Sequence, residues 1–226
     1  MGEFMPIVIV GLVVLAIAGV IWGAIRAKKR REAMAAFAAQ HNLRFTRAKD
    51  WAFDERFPEY DCLRRGDDRY AFNRMEGEWD GRTIWAFDYH YETHSTDSKG
   101  RRKTTHHYFS AVILRSRQTL KPLIIRSENL FDKLASVFGY DDIDFESAEF
   151  SKAFCVKSPD RKWAYDVLHP RTMQFLLTSP RFSIEFDPSH VIAWRSGRMS
   201  VEQFHDAVKV IEGILDRLPA YLADRR

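Results

Sequence analysis

The strongest constraint on this chain is the run at 4–25, FMPIVIVGLVVLAIAGVIWGAI, which holds no charged side chain. At a helical rise of about 1.5 Å per residue, residues 7–25 extend roughly 28 Å, close to the hydrocarbon thickness of a bilayer. In that solvent a backbone must satisfy its own polar groups, so the run predicts a transmembrane helix. Pro6, near its start, lacks only an N–H that a first turn leaves unpaired. Arg26, Lys28, Lys29, Arg30 and Arg31 follow directly, and only Glu3 precedes. Positive charge stays on the cytoplasmic side, which predicts a single-pass protein of the cell membrane, N-terminus out and the following domain cytoplasmic. A cleaved leader would carry its basic residues in front. Gly19 and Gly23 form one G-x-x-x-G, a spacing of helix-pairing faces that is also common in apolar helices generally. The opening Met-Gly-Glu-Phe leaves open whether Met5 is the natural start.

The formal net charge of +4 is unevenly placed. Residues 26–49 hold eight Lys or Arg and one Glu, so residues 50–226 sum to −2. A basic face on the folded domain, which a nucleic-acid binder needs, is therefore missing. The basic neck fits anionic lipid head groups better, with Arg26, Lys28, Lys29, Arg30 and Arg31 as the contacts. The two cysteines, Cys62 and Cys155, form no C-x-x-C pair and no disulfide framework, as expected of idle thiols in a reducing compartment.

Residues 27–41 are good helix formers, with Met34, Phe37 and Ala38 as an apolar stripe. Strand texture begins near Tyr60, with 60–64 and 69–79 as strands and Gly77 as a candidate bulge. Asp80-Gly81 is a two-residue hairpin turn whose twist suits its strands. In 82–93, Trp85, Phe87, Tyr89 and Tyr91 alternate with Ala86, Asp88, His90 and Glu92, which predicts one packed face and one wetter face. Residues 94–103 read as a mobile loop, 106–115 and 122–126 as strands, and 128–138 as a helix ended by Gly139. Further on, 153–157 is a strand, Ser158-Pro159 opens a helix to Leu168, and Pro170 starts another to Leu177. Strands at 181–187 and 191–195 precede the capping box of Ser200 and Gln203. That box launches a helix over 201–218, with Phe204, Val208, Ile211, Leu215 and Leu218 on one face. The fold class is α+β: an N-terminal transmembrane helix, an antiparallel meander with short helices, and a long C-terminal helix packed on it. The domains are a transmembrane helix at 4–25, a basic juxtamembrane helix or linker at 26–49, and a cytoplasmic domain at 50–226, with two halves near 55–126 and 127–226 as one division.

Four stretches, 77–91 (GEWDGRTIWAFDYHY), 125–134 (IRSENLFDKL), 142–147 (DIDFES) and 160–177 (DRKWAYDVLHPRTMQFLL), follow in order over most of 60–180. With the apolar start and its basic end, they resemble a family of uncharacterised bacterial single-pass membrane proteins with a cytoplasmic domain of unknown function. The resemblance implies an anchored domain and carries no activity, ligand or catalytic residue.

Chemistry-bearing residues are sparse. His90, His94, His106 and His107 flank one hairpin loop, and an imidazole pair with Asp88 or Glu92 would be a zinc set. A one-residue shift of register moves a side chain to the other face, so whether His90, His106 and His107 converge stays open. A solvated hairpin end is the favoured reading, and no metal or cofactor is assigned. Asp141, Asp142, Asp144, Glu146 and Glu149 lack the glycine of a calcium loop, and the interleaved Ile143 and Phe145 suggest an extended segment with one wet side. Asp166 and His169 lie three apart at a helix end, where the histidine can serve the helix dipole. Trp163, Tyr165 and Phe175 read as core. No G-x-S-x-G, P-loop or H-E-x-x-H occurs, so no catalytic residue is assigned. The expected function is a membrane-anchored, non-enzymatic interaction or scaffold domain with a protein partner and no nucleic acid. The alternative is a membrane-associated, hydrolase-like enzyme whose site forms only in three dimensions.

Overall fold

The computed structural model describes residues 4–97, 100–127 and 141–223, with side chains of the first helix described at position 12 and from 14 onward. Helix α1 runs unbroken from Phe4–Gln40. Among the described residues, no helix is long and apolar enough to cross a membrane. This corrects the expected transmembrane helix, and with it the single-pass topology and the cell-membrane location.

The C-terminal half of α1 belongs to the folded domain instead. Met34 and Ala38 are fully buried, and Leu43 joins them in the core. Strand β1 (Arg44–Thr46) then pairs with the sheet, so the helix expected within 26–49 is packed on the domain and the chain joins the sheet before residue 50. Positive φ at Asn42 turns the chain from helix to strand, a conformation asparagine tolerates.

Among the described residues, one sheet of eight strands is antiparallel throughout. Its strands are β1, β2 (Asp67–Trp79), β3 (Arg82–Thr96), β4 (Arg102–Arg115), β5 (Leu123–Ser127), β6 (Phe154–Lys157), β7 (Ser183–Phe186) and β8 (His190–Ser196). The order is β1-β2-β3-β4-β8-β7-β5-β6, so the two sequence halves share one sheet. The turn at Asp80-Gly81 has positive φ at both residues, as its sequence predicts. The register shifts in β2 lie between Asp67 and Tyr70 and between Phe72 and Met75, where Asp68 and Asn73 have φ of 46° and 47°, and not at Gly77, which pairs in register with Ile84. Gly77 instead admits Leu43, whose Cδ2 would lie 2.9 Å from an added Cβ.

Helices α2 (Ala148–Ala153), α3 (Arg161–Val167), α4 (Pro170–Thr178), α5 (Val201–Leu215) and α6 (Ala220–Ala223) complete the chain. The capping box of Ser200 and Gln203 forms, and Phe204, Val208, Ile211 and Leu215 are buried as their spacing predicts. Asp160 caps α3 in place of Ser158, whose hydroxyl donates to the Pro122 carbonyl at 2.7 Å. The expected helix at 128–138 lies outside the described residues.

Two hydrophobic layers sandwich the sheet. One holds α1, α5 and the short helices against residues such as Ile84, Ala86, Val112 and Ala193. The other is aromatic: Phe53, Phe57, Tyr60, Cys62 and Leu63 cover Phe87, Tyr89, Phe109 and Trp194. The expected strand at 60–64 is a single 3-10 turn, Asp61–Leu63. Adjacent Cys62 and Leu63 both point inward there, which strand alternation forbids. The second face of β3 is not wet either. Ala86, Asp88 and His90 are buried: Arg30 of α1 lies on Asp88, Ala86 joins the core with Met34 and Ala38, and Tyr70 covers His90.

Candidate functional site

Register fixes the histidines. On β3 and β4, Glu92 lies opposite His106, His90 opposite Tyr108, and Tyr91 opposite His107. His90, Glu92 and His106 therefore share a face, and His107 is on the other. His90 Nε2 lies 3.1 Å from His106 Nδ1, which lies 3.0 Å from Glu92 Oε1; His90 Nε2 and Glu92 Oε1 are 3.9 Å apart. Among the described residues this is the group of three whose ligand atoms converge. His90 is buried under Tyr70, whose ring stacks on it with centroids 4.5 Å apart, while the His106 side chain is 56% exposed. Burial pushes the His90 pKa down, opposed by the Asp68 carbonyl and by Glu92. His107 stacks on Tyr91 and contacts the Thr93 hydroxyl at 2.8 Å. His94 sits beside Thr104 and Asp67. The expected ten-residue loop is shorter, because β3 continues to Thr96 and β4 begins at Arg102.

Asp88, the other acid considered for a metal, is engaged elsewhere. Both terminal nitrogens of Arg30 donate to its carboxylate at 2.7 Å. Asn73 Nδ2 donates to it at 2.9 Å and Ser110 Oγ at 2.6 Å. The bulge in β2 brings Asn73 to this face. Arg30 Nε donates to the Met199 carbonyl, and the Met199 N–H donates to Ser110 Oγ. Arg30 is thus a clamp joining α1, the sheet and the start of α5, and it is withdrawn from the five basic residues expected at lipid. Of the others, Arg26 lies over Trp22, Lys28 is 3.8 Å from Glu32, Lys29 is exposed and Arg31 is half-buried.

A second polar set lies in the aromatic layer. Glu185 is buried, accepts from Trp194 Nε1 at 3.1 Å and lies 4.0 Å from Arg126. Burial pushes its carboxyl pKa up, only partly offset by Arg126. Burial also pushes up Asp187, but hydrogen bonds from His190 and the Ser189 N–H outweigh it, and the carboxyl stays low. Burial raises the Cys62 thiol, and burial with Asp142 raises Cys155 to about 11, so neither is a thiolate at neutral pH. Reading the sequence missed Glu185 and the Arg30 role of Asp88. Each is an acid inside an otherwise apolar strand pattern, which was the available signal.

The remaining candidates do not converge. His169 faces the Arg217 carbonyl at 2.9 Å, while Asp166 accepts from Tyr221. Ile143 and Phe145 are buried between acids, as their alternation predicts, and Asp142 pairs with Lys157 at 3.3 Å. Trp163 is core, but Tyr165 is 46% exposed and donates to the Asp144 carbonyl. Two clefts among the described residues, by Lys121, Asp160 and Asp166 and by Arg82, Arg117 and Asp216, contain none of the histidines.

No family model matches the chain, and no curated protein matches it. A solved structure does. The chain shares its fold with the crystal structure of the mycobacterial trehalose monomycolate transport factor A, TtfA. The TM-score is 0.63 at 11% identity, over 83% of this chain and 93% of that one. At that identity the likeness concerns architecture alone.

Proposed function

We propose that this protein is a non-enzymatic interaction module that uses the N-terminal half of α1 to hold an apolar segment of a partner protein. The observation that carries this reading is the exposure of that half: Leu12, Leu15, Val20 and Trp22 are each more than 60% exposed. Exposed apolar surface on this scale marks a contact site. Gly19 and Gly23 meet nothing within 4 Å, which leaves room for a second backbone to approach. The other half of the same helix is held by the Arg30 clamp, so the contact would be presented on a fixed base.

The test is a photo-crosslinking residue at Val20, with a second at exposed Lys29 as comparison. The expected result is a discrete protein adduct from Val20 that the double substitution Leu15→Glu, Trp22→Glu abolishes. Adducts confined to lipid, or equal adducts from both positions, overturn the reading.

A further inference from the structure

The three converging groups at the root of the β3–β4 hairpin go beyond an interaction surface. His90 Nδ1 lies 3.1 Å from the Asp68 carbonyl. A carbonyl oxygen only accepts, so Nδ1 carries the ring hydrogen, and Nε2 of the neutral ring carries a lone pair and no hydrogen. That lone pair points at His106 Nδ1, beside Glu92 Oε1. Three potential ligand atoms thus share one small space, two of the three pairs being near 3 Å and the third 3.9 Å. Donors around a tetrahedral zinc, with bonds of 2.0–2.1 Å, lie about 3.4 Å apart. The observed separations of 3.0, 3.1 and 3.9 Å bracket that value, so small side-chain rotations suffice.

We propose that His90 Nε2, His106 Nδ1 and Glu92 Oε1 bind a zinc ion, with its fourth position open on the solvent side. Two imidazoles and one carboxylate are the donors of zinc sites that keep an exchangeable position. The Asp68 carbonyl orients His90 as the outer partner of a ligand histidine does. Tyr70 closes the buried side. Half-exposed His106 gives the ion its way in. The site also has a place in the architecture. Asp67↔Glu92 is the last paired position of β2, and beyond it β3 and β4 continue as a two-stranded ribbon. An ion held by both strands ties the ribbon where the third strand ends.

The experiment is titration of the chelator-treated, tag-free full chain with zinc chloride against a chromophoric chelator. One ion per chain is expected. His106→Ala and Glu92→Gln should each weaken binding at least about tenfold. His107→Ala, on the opposite face, should change it less than about twofold. Because His106 is half-exposed, its variant should melt in zinc-free buffer like the parent, which separates lost ligation from lost folding. No zinc uptake, or a fall smaller than tenfold in either ligand variant, overturns the site.

Discussion

Arg30 and Asp88 are 58 positions apart and form a bidentate pair with the carboxylate almost wholly buried. Such a pair is no large gain over an apolar contact, but breaking it leaves a charge without a partner. Arg30→Ala should cost about 3–5 kcal/mol, read as a lower urea midpoint. Arg30→Ala with Asp88→Ala should cost less than Asp88→Ala and Arg30→Ala added separately; simple additivity would mean the pair is not coupled. Asp187 gives the pH test. Its folded-state pKa is depressed, so its contribution is present above its unfolded value near 3.9 and is lost as pH falls through the lower folded value. Asp187→Ala should cost about 2 kcal/mol at pH 7 and the difference from the parent should shrink below pH 4. A constant difference down to pH 2 would assign the loss to packing.

Helix α5 shows how far a local pattern reaches. Its capping box and its 3.6-residue stripe are contained in consecutive residues, and both form. Ile211, with no exposed surface, is the centre of that stripe. Ile211→Asp should cost about 4 kcal/mol or more, because a carboxylate there has no partner; an unchanged melting temperature would mean the helix is not docked. The hairpin of β2 and β3 behaves alike at its turn, since Asp80-Gly81 needs only its own two backbone angles. Its bulge follows the opposite rule. Glycine permits a bulge at 77, but the extra residue sits at Asn73, where the side chain gains the Asp88 bond.

Over the whole molecule, α1 is divided by the work its halves do. From Arg30 onward one face is packed, through Arg30, Met34, Phe37 and Ala38, while the residues described before it are exposed except half-buried Ala27. A fragment of residues 27–226 should therefore melt with the parent. A fragment of 50–226 lacks β1, Met34, Ala38 and the Arg30 clamp, and should lose cooperative unfolding by circular dichroism. If both fragments melt alike, α1 is an appendage and the domain begins at 50 after all.

Features carried by neighbouring residues were legible in the amino-acid order: α1 ending near His41, the Asp80-Gly81 turn, the alternation of β3, and the box at Ser200. They depend on interactions over one to four positions, which composition and spacing encode directly. Candidate ligands were legible as residue types, because His90, Glu92 and His106 stand out in any strand. Their convergence was not, because side chains alternate with period two and one residue of slip separates a shared face from opposite faces. The same limit hid the Arg30 clamp and the order β4-β8-β7-β5, which joins strands distant in the chain. The apolar start marked surface that avoids water, and apolarity alone does not say what covers it. Folding decides that, by choosing which turns of α1 the sheet can reach.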